Sequence, residues 1–246
     1  MTLPALLLAL LAPWACAAPA TPAAKAAAKP AAKRAVSFRT EDGWTIAAVY
    51  KPAKPDRPTA ILVHGVAAGH GEYDAFASSL QARGWGTLAL DLRGHGGSTA
   101  GPGGQESFER FDLTQEWPKA VLDVLAAERF LESRGVPESR VALIGASIGA
   151  NLCAQAFSAL PKARVLVLLS PGVNYRGATM PQLDAARTVL AASPGDTYAF
   201  VTIKNLSREV DGKKPPYTVL LATGGHGAQM FSDPQFVADL LKRLRH

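Results

Sequence analysis

From Ala35 to the end of the chain, short runs of β-branched and aliphatic residues alternate with longer stretches whose apolar positions recur at helical spacing. The first two runs, Val36 to Thr40 and Trp44 to Tyr50, flank Glu41-Asp42-Gly43 and predict an antiparallel hairpin, because Asp-Gly suits a tight reversal. Beyond it the rhythm changes. Ala60 to Val63, Gly86 to Leu90, Val141 to Ile144, Val165 to Leu169, Thr188 to Ala191 and Thr218 to Leu221 are almost wholly apolar instead of alternating. Strands of that kind must hide both faces from water, so they predict a mainly parallel sheet covered on both sides. Helical patterns fill the intervals over Tyr73 to Arg83, Thr114 to Arg134, Ile148 to Leu160, Tyr198 to Leu206 and Pro234 to Arg245. The expected fold is therefore α/β, a mainly parallel doubly wound sheet flanked by helices and entered through an N-terminal β-hairpin. In open sheets of this type sites gather at the carboxyl ends of the strands. Three such ends stand out: His64-Gly65, Asp91-Leu92-Arg93-Gly94-His95-Gly96 and Gly145-Ala146-Ser147-Ile148-Gly149.

The first 35 residues read differently. Residues 1–20 hold an apolar block of about ten residues followed by small ones, which suits an export signal and is too short to span a bilayer. Small-x-small cleavage patterns occur at Ala15-Cys16-Ala17 and Ala18-Pro19-Ala20, no Lys or Arg precedes the block, and Cys16 is the alternative, a lipid-attachment cysteine. Residues 21–35, almost entirely Ala, Pro, Lys and Thr, predict an extended linker, leaving 36–246 as one domain. A periplasmic or secreted location follows as an expectation. Four of the charges behind the chain's net +6 sit on Lys25, Lys29, Lys33 and Arg34, so the folded part is close to balanced. A nucleic-acid enzyme would need its basic excess in the domain itself, and that class is set aside; the linker's cations suit at most a weak association with an anionic envelope surface. With 48% hydrophobic and 19% charged residues the remainder has the composition of an ordinary globular domain. Removal of a signal would leave Cys153 as the lone thiol, and no Cys/His cluster has metal spacing, so neither a disulfide nor a metal is implied.

Gly145-Ala146-Ser147-Ile148-Gly149 matches G-x-S-x-G, in which a serine projects from a sharp strand-to-helix turn and tiny residues two positions away avoid the neighbouring backbone. A strand precedes it and an Ala- and Leu-rich helix follows, the setting such a turn requires. With these residues in view the chain resembles the α/β-hydrolase superfamily from about Val36 to its end, and within it the serine esterases without a lid. Ile61-Leu62-Val63-His64-Gly65 is similar to that family's strand ending in His-Gly, and Asp91 to Ser98 is similar to its D-x-R-G-x-G-x-S loop. The resemblance implies Ser147 as nucleophile, Asp196 after the strand Val189 to Ala192 as orienting acid, and His226 in Gly224-Gly225-His226-Gly227 as general base. It also implies backbone amides of Val66 and Ile148 as an oxyanion hole.

Alternatives stay open at this stage. Asp184 and Asp211 compete with Asp196, and His64, His70, His95 and His246 are the other histidines, of which His64 and His95 read as loop braces, as do Asp91 and Arg93. The Gly-rich stretch Gly94 to Gly104 lacks the Lys-Ser/Thr ending and register of a phosphate or dinucleotide loop, so no cofactor is implied. The interval Ser170 to Arg187 is too short for an independent lid. An open site suits small or water-soluble esters or related acyl compounds, with Tyr175 and Met180 as wall residues. The competing functions are a non-catalytic binding module of the same fold at the envelope and an acyltransferase using the same triad.

Overall fold

The computed structural model describes residues 32–112, 115–209, 212–213 and 216–244. The proposed signal, most of the linker, Asp211 and His246 lie outside the described residues. The strands are β1 (Arg34–Arg39), β2 (Thr45–Lys51), β3 (Thr59–Val63), β4 (Gly86–Leu90), β5 (Ala100–Gly101), β6 (Gly104–Gln105), β7 (Val141–Ala146), β8 (Val165–Leu169), β9 (Asn174–Tyr175), β10 (Ala178–Thr179), β11 (Thr188–Ala192) and β12 (Thr218–Leu221). The helices are α1 (Asp74–Ala82), α2 (Glu116–Lys119), α3 (Val121–Ser133), α4 (Ile148–Ala159), α5 (Thr197–Leu206) and α6 (Pro234–Arg243). Among the described residues no helix is long and apolar enough to cross a membrane.

One sheet runs in the order β12-β11-β8-β7-β3-β4-β2-β5-β6, with β1 on β2. Its strands from β12 to β4 are mutually parallel, while β2 joins β4 antiparallel. The all-apolar runs explain the two-sided burial. In β3, Ile61 and Val63 pack with α3 and α4 on one face, while Ala60 and Leu62 pack with α1 and α6 on the other, and all four are fully buried. Burying each of the larger side chains, Ile61, Leu62 and Val63, contributes about 1.5–3 kcal/mol. In contrast β2 alternates, burying Ile46, Ala48 and Tyr50 and leaving the residues between them half-covered, as an antiparallel strand does when only one face packs.

The expected elements are present with shifted ends. The hairpin begins at Arg34, two residues ahead of the expected Val36, and turns through Gly43 at φ 95°. The long helix expected to Arg134 is broken at Ala120 into α2 and α3, and the chain passes the break on the tighter bonds Ala120 N–H to Trp117 O and Asp123 N–H to Ala120 O. Between β8 and β11 the described chain holds only the hairpin β9–β10 and a single 3-10 turn, Ala185–Arg187, so there is no lid domain.

Candidate active site

The sheet register assembles the site. Val63 pairs with Leu90 on one side and Gly145 on the other, and Ala146 pairs with Leu169, so β3, β4, β7 and β8 end side by side. Their next residues are His64, Asp91, Ser147 and Ser170. The end of β11 and the start of the loop after β12 continue the row through Ala222 N–H to Ala192 O at 3.2 Å.

Ser147 sits between β7 and α4 with φ 55° and ψ −123°, a conformation costly for any residue but glycine. Its amide donates to Leu169 O at 2.8 Å, which ties the turn to β8. The flanking glycines are sterically required. A Cβ on Gly149 would lie 2.5 Å from His64 O, and one on Gly145 would run into the Gly149 backbone. Gly65 is similarly confined, its Cβ position lying 3.2 Å from Ser147 Cβ.

His226 and Asp196 come together across thirty residues of sequence. His226 Nδ1 and Asp196 Oδ2 are 2.7 Å apart, with the histidine side chain 43% exposed and the carboxylate 13%. The following residue fixes the histidine loop against the serine turn. Gly227 N–H donates to Ser170 Oγ at 2.8 Å, and the Gly227 Cβ position is 3.1 Å from Ala146 Cβ and 3.8 Å from Ser147 N. From the other side Ser193 Oγ donates to Gly225 O at 2.7 Å, and the amide of His226 donates to Gln229 Oε1 at 3.2 Å. Asp184, the other described carboxylate considered, is instead paired with Arg187 at 2.7 Å.

His64 clamps the loop that carries Val66. The imidazole is fully buried, with Leu92 N–H donating to Nε2 at 2.8 Å. An amide can only donate, so Nε2 is unprotonated and Nδ1–H donates to Gly65 O at 2.6 Å. Burial holds the imidazole neutral against the pull of the Gly65 carbonyl bond, its pKa lowered to about 4. The Gly65 carbonyl shares a peptide unit with the Val66 amide, so gripping the one orients the other. The Gly65 amide in turn donates to Glu72 Oε1 at 3.2 Å; burial of that carboxyl pushes its pKa up to about 7, against the pull of the amide.

Asp91 and Arg93 brace, as their loop suggests. Asp91 accepts from the amides of His70 and Gly97 and faces His70 Nδ1 at 2.9 Å. Arg93, wholly buried, bonds Asp123 through Nη2 at 2.8 Å and Asp42 through Nη1 at 2.7 Å. His95 stacks on Phe108 with ring centroids 4.0 Å apart.

Two features escaped the sequence reading. Buried Asn151 donates to Gly172 O and Ala178 O at 2.8 and 2.7 Å and accepts from Gly172 N–H at 3.2 Å, pinning the β9–β10 hairpin to α4. That hairpin carries Tyr175, a wall residue expected from sequence, whose ring lies 6.5 Å from His226 and 5.5 Å from Tyr198. Its hydroxyl donates to Ser170 O at 3.3 Å and also interacts with the Ser147 hydroxyl, while burial and the Asp196 charge raise its pKa. Met180 packs partly buried against the core. Ser170, itself at φ 52°, is the second missed residue; a lone serine ending a strand carries no motif. Cys153 is buried and its thiol is pushed up by burial, which suits packing and not chemistry.

Among solved structures the chain is similar to an α/β hydrolase from a Penicillium species (14% identity, 87% of this chain and 97% of that one, TM-score 0.64). It is also similar to an esterase from Pyrococcus furiosus (16%, 87% and 92%, TM-score 0.63) and to a dienelactone hydrolase from Anabaena variabilis (13%, 87% and 95%, TM-score 0.61). At such identities the likeness is one of fold. No curated protein matches the chain. Residues 54–212 match the family described as serine aminopeptidase, S33, a span that runs through β3, the Ser147 turn and Asp196. The chain belongs to that family, and thereby to the serine hydrolases of the α/β-hydrolase fold.

Proposed function

We propose that the protein hydrolyses carboxylic esters through an acyl-enzyme on Ser147, with His226 as general base, Asp196 as orienting acid and the amides of Val66 and Ile148 as oxyanion donors. The observation that carries the reading is the Asp196–His226 bond of 2.7 Å on a loop packed directly against the Ser147 turn. A serine hydroxyl is a weak nucleophile until an imidazole accepts its proton. In the proposed reaction His226 Nε2 takes that proton as Oγ attacks the carbonyl carbon, and Nδ1–H remains bonded to Asp196, which stabilises the imidazolium formed. Charge builds on the carbonyl oxygen, where each backbone donor is typically worth about 3–4 kcal/mol. The imidazolium then protonates the departing alcohol, and water attacks the acyl-enzyme by the same route in reverse.

The half-exposed His226 and the absence of a lid among the described residues support small or soluble acyl substrates over long chains needing a tunnel. A second reading, aminoacyl or peptide cleavage, is favoured by the family description. The two differ in leaving group. Short p-nitrophenyl esters and aminoacyl p-nitroanilides offered side by side separate them: the ester reading expects turnover of acetate and butyrate esters well above that of the anilides. Anilide turnover exceeding ester turnover would replace it with the peptidase reading.

A further inference from the structure

A cavity lies at the opposite end of the parallel strands from Ser147. Because β3, β4, β7 and β8 are parallel, their starts converge as surely as their ends, and each is entered past an arginine. Arg57 comes two residues before β3, Arg83 three before β4, Arg140 directly before β7 and Arg164 directly before β8. Widely spaced in sequence, the four line one cavity of about 550 Å³. Buried Trp85, Leu80, Leu241 and Leu244 supply an apolar floor.

The charges are poorly matched from within. Among the described residues Asp56 is the one carboxylate lining the cavity; it pairs with Arg140 at 3.0 Å, and its side chain is 86% exposed. Arg83 spends one donor on Ser79 O at 2.9 Å. Arg57 and Arg164 have no side-chain hydrogen bond, ion pair or ring contact among the described residues. Like charges gathered without partners repel, and a bound anion relieves that repulsion. Two free guanidinium forks, with spare donors on two more, match a doubly charged group with several acceptor oxygens better than a single carboxylate. The apolar floor adds a preference for a hydrocarbon substituent.

We infer that this cavity binds a phosphate monoester bearing an apolar chain, held by Arg57 and Arg164 with its hydrocarbon over the accessible edges of Trp85 and Leu241. The site is independent of the chemistry assigned to Ser147.

Calorimetric titration of the full chain with decyl phosphate below its micelle concentration, at about 150 mM salt to screen long-range attraction, tests the inference. One saturable site is expected, with inorganic phosphate binding at least about tenfold more weakly and the double variant Arg57→Gln/Arg164→Gln losing about tenfold or more. The single variant Arg57→Gln serves if the double one fails to fold. No saturable binding, equal binding by the variant, or inorganic phosphate binding as tightly as decyl phosphate would each overturn it. Sedimentation with phosphatidylcholine vesicles containing phosphatidic acid, weakened in the same variant, would identify the source as a lipid headgroup; soluble ligand alone would identify a free phosphate ester. The basic N-terminal stretch is common to both proteins and cancels in the comparison.

Discussion

Acid should loosen this protein through His64 before it protonates the ordinary carboxylates. The imidazole is fully buried, accepts from Leu92 N–H and donates to Gly65 O, so a second proton would set Nε2–H against the Leu92 amide inside the core. Its folded pKa, lowered to about 4 from 6.5, means that the unfolded chain binds a proton which the folded chain refuses. The stability this supplies is complete above pH 6.5 and is lost as pH falls towards 4. A displacement of that size corresponds to about 3 kcal/mol, roughly three-quarters of which is gone by pH 4.5. Glu72 works oppositely, since its raised pKa favours the folded state as pH falls below about 7, and buried His95 adds to the effect of His64. Both groups are common to wild type and a His64→Gln variant, so a comparison isolates His64. The variant is less stable at pH 7, having lost the Gly65 contact. Urea unfolding at pH 7.0, 5.5 and 4.5 should show wild type losing about 2 kcal/mol more than the variant across that range. Parallel pH dependences in the two proteins would refute the assignment of a neutral, proton-refusing His64.

Other expectations concern the site's framework. Ser147 holds φ 55°, so Ser147→Gly should be about 1–2 kcal/mol more stable than Ser147→Ala in denaturant titration; equal stabilities would show that the turn stores no strain. Asn151→Leu strands the Gly172 and Ala178 carbonyls and should cost about 2–4 kcal/mol, with the β9–β10 amides losing hydrogen-exchange protection first; a loss spread evenly over the sheet would contradict the hairpin-pinning role.

Sequence pattern made the sheet and the serine turn legible because both rest on strong local rules. Five of the six apolar runs are strands buried on both faces, while the sixth, β12 at the sheet's edge, leaves Val219 and Leu221 exposed because among the described residues no strand or helix covers that side. The glycines around Ser147 are fixed by backbone distances that admit no side chain. Asp196 and His226 were visible only through resemblance, since nothing local in Ser193-Pro194-Gly195-Asp196 or Gly225-His226-Gly227 says that two loops thirty residues apart will meet at 2.7 Å. The break at Ala120 was hidden because Val121 to Ser133 and its preceding turn share one helical periodicity, and Pro118 sits where a helix start would tolerate it. Asn151 and Ser170 left no trace in the pattern. Their partners are backbone atoms of distant loops, and a buried polar residue bonded to backbone reads in sequence like any helix or loop residue. The arginine-lined cavity was equally silent, because it exists only once the parallel strands bring their starts to one edge.

The central claim is that Ser147 is an activated nucleophile served by His226. Its most direct test is labelling of the folded protein with a fluorophosphonate probe, in wild type, Ser147→Ala and His226→Ala side by side, with the adduct located by mass spectrometry. Modification of wild type at Ser147, its absence in Ser147→Ala and its slowing by at least about a hundredfold in His226→Ala are expected. Labelling that persists in Ser147→Ala, or a folded wild type that takes up no probe, would contradict the claim.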